Sequence, residues 1–118
     1  MTRFYRCAAL VAAMLAVLTL ACGCQRTPHF STDLWLKEPE ERTAIVDELL
    51  ETHELKGMTK ADILVLLGTP DNEAGYFVED NRFVYWLGPE RGWMSIDSEW
   101  LLIDFENDVV VEYAIRRD

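Results

Sequence analysis

The chain has 118 residues, half of them hydrophobic, and its eleven Lys and Arg against twenty-one Asp and Glu give a formal charge of −10. That length bounds one small domain, and the acidity excludes nucleic-acid binding, which needs Lys and Arg to neutralise phosphates. It also disfavours charge-driven recruitment to anionic lipid, which calls for polybasic segments.

The N-terminus reads as an export signal over residues 1–21. Arg3 and Arg6 supply a positive start, and Cys7 to Ala21 form fifteen uncharged residues, mostly Ala, Leu and Val. The run is short of the roughly 20 residues a membrane-spanning helix needs and matches a secretory signal instead. It has no polar face, unlike an amphipathic helix packed in a domain. Removal of residues 1–21 takes away two arginines and leaves nine Lys and Arg against twenty-one acids, a charge of −12. Such a domain suits a basic partner, or one that ignores charge.

Cys22 and Cys24 follow directly in "LACGCQRT". A disulfide across one intervening residue fits the required Cα separation and Cβ directions poorly. A structural zinc site needs four ligands, whereas no cysteine follows Cys24 and His29 and His53 stand alone. No metal or cofactor is therefore expected. Small and apolar residues before each cysteine resemble the box that precedes an acylated bacterial cysteine, in "TLAC" (19–22) and in "ACGC" (21–24). Cys22, with Leu-Ala before it, is favoured over Cys24 as the lipid-bearing residue. The resemblance implies a diacylglyceryl cysteine, which meets the need for more than one hydrophobic chain in a stable anchor. No aspartate follows either cysteine, and outer-membrane sorting with the domain facing the periplasm is expected.

Residues 22–38 read as the lipidated tether, and 39–118 as the folded domain. Fourteen extended residues from Gln25 to Glu38 would reach roughly 45–50 Å. Phe30, Leu34, Trp35 and Leu36 are too apolar for a pure linker and are expected to dock the end of the tether onto the domain. Pro39 with Glu40 and Glu41 suits a first helical turn. Ile45, Val46, Leu49, Leu50 and His53 then share one helical face, with Lys56 and Gly57 as the expected stop. In "GMTKADILVLLGTPD" (57–71) Thr59 and Asp62 form a capping-box pattern. Met58 and Ile63 are spaced for a hydrophobic staple. Ile63, Leu64 and Leu67 are predicted to face the core, Gly68 to stop this second helix and Pro70 to prevent its restart.

Beyond residue 76 the period becomes two. Residues 82–88 alternate Phe83, Tyr85 and Leu87 with Val84 and Trp86. Residues 98–106 place Leu101, Ile103 and Phe105 on one face, and 108–117 place Val109, Val111, Tyr113 and Ile115 together. The turn at Glu106-Asn107-Asp108 joins the last two strands as a hairpin. Residues 75–80 offer a further short strand. The expected fold is α+β, two N-terminal helices packed on an antiparallel sheet of three strands, or four with that extra one.

The motif Gly57-Met58-Thr59 opening the second helix, and Leu67-Gly68 with Pro70 closing it, resemble the SmpA/OmlA lipoprotein domain of the BamE-like family. The aromatic strand and the closing hairpin "LLIDFENDVVVEYAI" (101–115) extend the resemblance over about residues 55–118. It implies two helices on a three-stranded antiparallel sheet, and an accessory outer-membrane lipoprotein that supports the β-barrel assembly machinery through protein contacts. No partner-binding residue is carried over. An inhibitor or ligand-binding module on the same scaffold is the alternative.

Catalytic patterns are weak, and the chain reads as non-enzymatic. No Ser-His-Asp or Cys-His context is evident. Asp97 and Glu99 would lie on one face of a strand as an acid–base pair, but in so acidic a chain a solvated edge explains them better. "DFENDVVVE" lacks the ligand spacing of an EF-hand. The most suggestive surface is the loop at 88–99. Arg91, Trp93, Met94 and Trp100, among Glu90, Asp97 and Glu99, have the aromatic-plus-charge composition of interface centres. The competing expectation is that Trp93 and Trp100 cap the core while Arg91 pairs with a nearby acid, and the demand for core in so small a domain favours it.

Overall fold

A computed structural model describes residues 28–72, 75 and 77–118. Among the described residues the first element is a short helix, α1 (Thr32–Lys37), built on residues the sequence assigns to the tether. Ser31 caps it by accepting a hydrogen bond from the Leu34 N–H at 3.0 Å. Its purpose in the fold is Trp35, which is fully buried and donates its indole N–H to the Leu67 carbonyl at 3.1 Å. Phe30 packs edge-on against Trp35 and against His53. The packed unit therefore takes in residues 30–38, and docking through Phe30, Leu34 and Trp35 goes deeper than an adhering tether end.

A single 3-10 turn at Pro39–Glu41 leads into α2 (Arg42–Thr52). Arg42, Ile45, Val46 and Leu49 are buried at helical spacing, and Arg42 carries the one charge among them. Its guanidinium lies 4.7 Å from the Trp35 ring centroid and donates to the carbonyls of Trp35 (2.9 Å) and Trp86 (3.0 Å). These bonds let a cation stand in the core. Burial lowers the basicity of Arg42, and the Asp71 carboxylate opposes that shift.

Helix α2 ends at Thr52, before the expected stop at Lys56 and Gly57. One more turn would bring Lys56, seven residues beyond Leu49, to the inward face. The chain instead extends at His53 and buries Leu55. Gly57, with φ +90°, serves the next task. It turns the chain so that its N–H donates to Val110 and the Met58 carbonyl accepts from the Val110 N–H.

Helix α3 (Lys60–Leu67) begins with the predicted capping box. Thr59 and Asp62 exchange backbone-to-side-chain bonds of 3.1 Å each. Ile63 and Leu67 are buried and Leu66 is half-buried, whereas Leu64, expected in the core, faces outward. Gly68 ends the helix at φ +74° and ψ −165°, backbone angles that only glycine adopts readily. A Cβ there would stand 2.5 Å from Leu36 Cδ2.

Strands β1 (Arg82–Pro89), β2 (Ser98–Glu106) and β3 (Val109–Arg117) form an antiparallel sheet in the order β1-β2-β3. The architecture is α+β, helices followed by a three-stranded antiparallel sheet. Among the described residues 75–80 add no fourth strand. Phe77 packs against the sheet's second face, beside Val84, Trp86, Trp100 and Leu102. The outer edge of β1 is occupied otherwise: Asn72 Oδ1 accepts from the Val84 N–H and Asp71 Oδ2 from the Trp86 N–H. Those side chains satisfy an edge that would otherwise template further pairing.

The main core lies between helices and sheet, where Tyr85, Leu87, Leu101, Ile103 and Phe105 meet the buried residues of α1, α2 and α3. The β2–β3 turn is Asn107-Asp108, both with positive φ (48° and 68°), as a two-residue type I′ hairpin requires. One strand departs from the predicted alternation. Asp104 pairs with Glu112 but Phe105 pairs with Val110, so Val111 is an extra residue in β3. The bulge flips the pattern, burying Val110 and exposing Val111 while Tyr113 and Ile115 keep packing on the core.

Candidate functional site

The loop joining β1 to β2 is closed by a hydrogen bond of 2.8 Å from the Glu90 N–H to the Asp97 carbonyl. Within it Gly92 takes φ +131°, and the Ser95 hydroxyl donates to the Glu90 carbonyl at 2.9 Å. The tip, "GWMSI" (92–96), carries no charge. Trp93 is 93% exposed, Ile96 75% and Met94 48%. These three side chains spend their apolar area on solvent, which a domain short of core residues would not do for stability.

Beneath the tip lies Glu99 on β2, its side chain only 3% exposed. Its carboxylate accepts from Arg91 through Nε (2.9 Å) and Nη2 (3.2 Å), and from the Arg91 backbone N–H at 3.3 Å. Arg117 approaches the same carboxylate at 3.9 Å. The two-point guanidinium contact fixes the orientation of Arg91 as well as its charge. Arg91 also reaches α2, where Nη1 donates to Asp47 at 2.9 Å. Hydrogen bonding to Glu99, ahead of its electrostatic attraction and that of Asp47, raises the basicity of Arg91. The loop is thus braced to β2 and to α2 by one charged cluster.

The structure divides the four residues singled out from the sequence. Trp93 and Met94 project as an apolar tip, and Trp93 does not cap the core. Arg91 is the brace, paired with acids as the competing expectation held. Trp100 belongs to neither group of exposed residues: it is buried on the second face of the sheet. Its indole N–H donates to Asp118 at 3.0 Å. Hydrogen bonds from the Ser98 N–H, and then from Trp100, hold the Asp118 carboxyl below its usual range.

Ile96 and Asp47 complete the site and lie outside the surface that the sequence pointed to, whereas Glu99, which was part of it, is buried beneath the tip. An available signal was the uncharged "GWMSI" between Arg91 and Asp97, in a stretch with no strand alternation. Asp47 carried no such signal, because its partner lies forty-four residues away. Asp97 and Glu99 do not form an acid pair: Asp97 is exposed and Glu99 is enclosed by arginines.

A second surface feature is an open groove of about 320 Å³ between α1 and α3, lined by Thr32, Met58, Asp62, Val65 and Leu66. Its walls are mostly apolar, and the Asp62 carboxylate is already committed to the capping box. Cys22 and Cys24, together with the whole export-signal reading, lie outside the described residues. No family model matches the chain. No curated protein matches it either.

Proposed function

We propose that the chain is a non-enzymatic envelope lipoprotein, held at the outer membrane through an acylated Cys22, whose α+β domain binds a protein through the Glu90–Asp97 loop. The observation that carries the binding role is the exposure of Trp93, Met94 and Ile96 on a loop braced by Arg91, Glu99 and Asp47. Rigid support reduces the ordering cost of association, and aromatic side chains at the centre of a patch supply most of the binding energy in protein interfaces. Residues 1–24 support the membrane setting, and the Gly57-Met58-Thr59 and Leu67-Gly68 motifs support an accessory role in outer-membrane protein assembly.

Affinity capture of the full chain from detergent-solubilised envelopes tests this reading. Recovery of barrel-assembly components, lost when Trp93→Ala is introduced, supports it. Recovery of a secreted hydrolase alone would favour the inhibitor alternative. Capture unchanged by Trp93→Ala would remove the loop from the binding role. For the anchor, Cys22→Ala abolishes acyl labelling and Cys24→Ala leaves it; the reverse outcome moves the anchor by two residues.

A further inference from the structure

We infer that the partner of this loop is a basic protein surface with an apolar recess, one that receives Trp93 while cationic side chains settle on the exposed face of α2. The inference rests on the loop being the binding element, as proposed above. It starts from the contact that joins loop to helix, Arg91 to Asp47 at 2.9 Å. A second contact places them side by side, since a Cβ on Gly88 of β1 would lie 3.7 Å from the Glu40 carbonyl oxygen and 3.6 Å from Thr43 Cγ2. The apolar tip therefore emerges next to the start and middle of α2.

The outward side of that helix and of the turn leading into it has one sign. From Glu38 to Glu54 the chain holds seven acids and a single cation, Arg42, which is buried beneath the surface. Glu40, Glu41, Asp47 and Glu51 are all exposed there. At the loop itself the cations are already engaged, Arg91 by Glu99 and Asp47 and Arg117 by Glu90 and Glu99. A partner approaching Trp93 thus meets hydrophobic area at the tip and net negative potential beside it. Complementary potential accelerates encounter and rejects wrong partners, while the buried aromatic contributes most of the affinity. An anionic bilayer offers the wrong charge for this face. A basic protein surface satisfies both halves of it.

Photo-crosslinking in intact cells tests the inference, with Met94→p-benzoylphenylalanine in the full chain so that Trp93 stays in place. Protein adducts are expected, with the crosslinked segment lying on a surface of net positive charge. Adduct yield should fall about tenfold with Trp93→Ala. It should fall roughly fivefold with the charge reversals Glu40→Lys and Glu51→Lys together. Adducts that disappear with Trp93→Ala but persist through the charge reversals would overturn the basic partner and leave the loop as the binding element. Adducts indifferent to Trp93→Ala would overturn both. Lipid adducts alone, or no adduct, also overturn the inference.

Discussion

Trp35→Ala is the sharpest test of where this domain begins. The side chain is fully buried, so truncation costs about 3–5 kcal/mol in lost packing and cavity. The Leu67 carbonyl loses its donor, which adds about 1 kcal/mol. The Arg42 guanidinium loses the ring it faces at 4.7 Å, which adds about 1 kcal/mol more. These terms share one site and do not add fully, so about 5 kcal/mol is expected. A folded unit of about ninety residues has roughly 5–13 kcal/mol of stability in total. Urea denaturation followed by circular dichroism should therefore show the variant near its unfolding threshold, with melting lowered by about 20 °C or more. Trp35→Phe keeps most of the volume and should cost about 1–2 kcal/mol. A loss below about 1.5 kcal/mol for Trp35→Ala would mean that α1 is peripheral, and that the domain starts near Pro39 after all.

Gly68→Ala should cost about 2–4 kcal/mol, because its backbone angles suit only glycine and the new methyl meets Leu36; an unchanged urea midpoint would show that the turn relaxes freely. Thr59→Ala should cost about 1 kcal/mol by the same measurement, and Thr59→Ser should recover most of it. Burial holds the Tyr85 phenol well above its ordinary pKa; nearby Asp71 pushes it further up, and Arg42 opposes. A raised folded-state value leaves stability intact below the unfolded pKa of about 10, and stability is then lost as pH climbs toward the folded value. Melting temperature should accordingly fall above about pH 10 in the wild type and fall less in Tyr85→Phe; parallel curves would locate the alkaline loss elsewhere.

Where local chemistry decides conformation, the fold was legible. The Thr59–Asp62 capping box, the Gly68 stop and the Asn107-Asp108 turn each answer to a few neighbouring residues, and each stands where its residues indicate. The discrepancies arise where distant parts of the chain compete. Thr52 ends α2 because Leu55 is the better residue to bury than Lys56. Val110 replaces Val111 because a bulge against Phe105 offsets the alternation, a choice made by pairing across the sheet. Residues 30–38 read as a tether whose apolar end docks onto the domain; Trp35 does dock, but as core, filling the space between Leu67 of α3 and Tyr85 of β1. The candidate site was half legible. Trp93 and Met94 stood out by residue type, but whether they pointed inward depended on the Arg91–Glu99 brace and on Asp47, which only the tertiary fold brings together.

The placement of Trp35 also sets how far the domain can roam. With α1 folded in and His29 bonded to Glu48 at 3.0 Å, the leash of a chain acylated at Cys22 would count only seven residue steps, from Cys22 to His29. Fully extended, those seven steps span about 23–25 Å, roughly half the range a tether ending at Glu38 would allow. The leash leaves the domain beside Glu48, and the Trp93 loop is fastened to Asp47, the adjacent residue. Exit point and apolar tip are thus mechanically coupled to one helix. In a chain so anchored, that leash would hold the tip at an effective concentration on the order of millimolar or above in the layer next to the bilayer. Partner choice would then be partly a matter of altitude: a basic surface near the bilayer would be sampled far more often than one farther out.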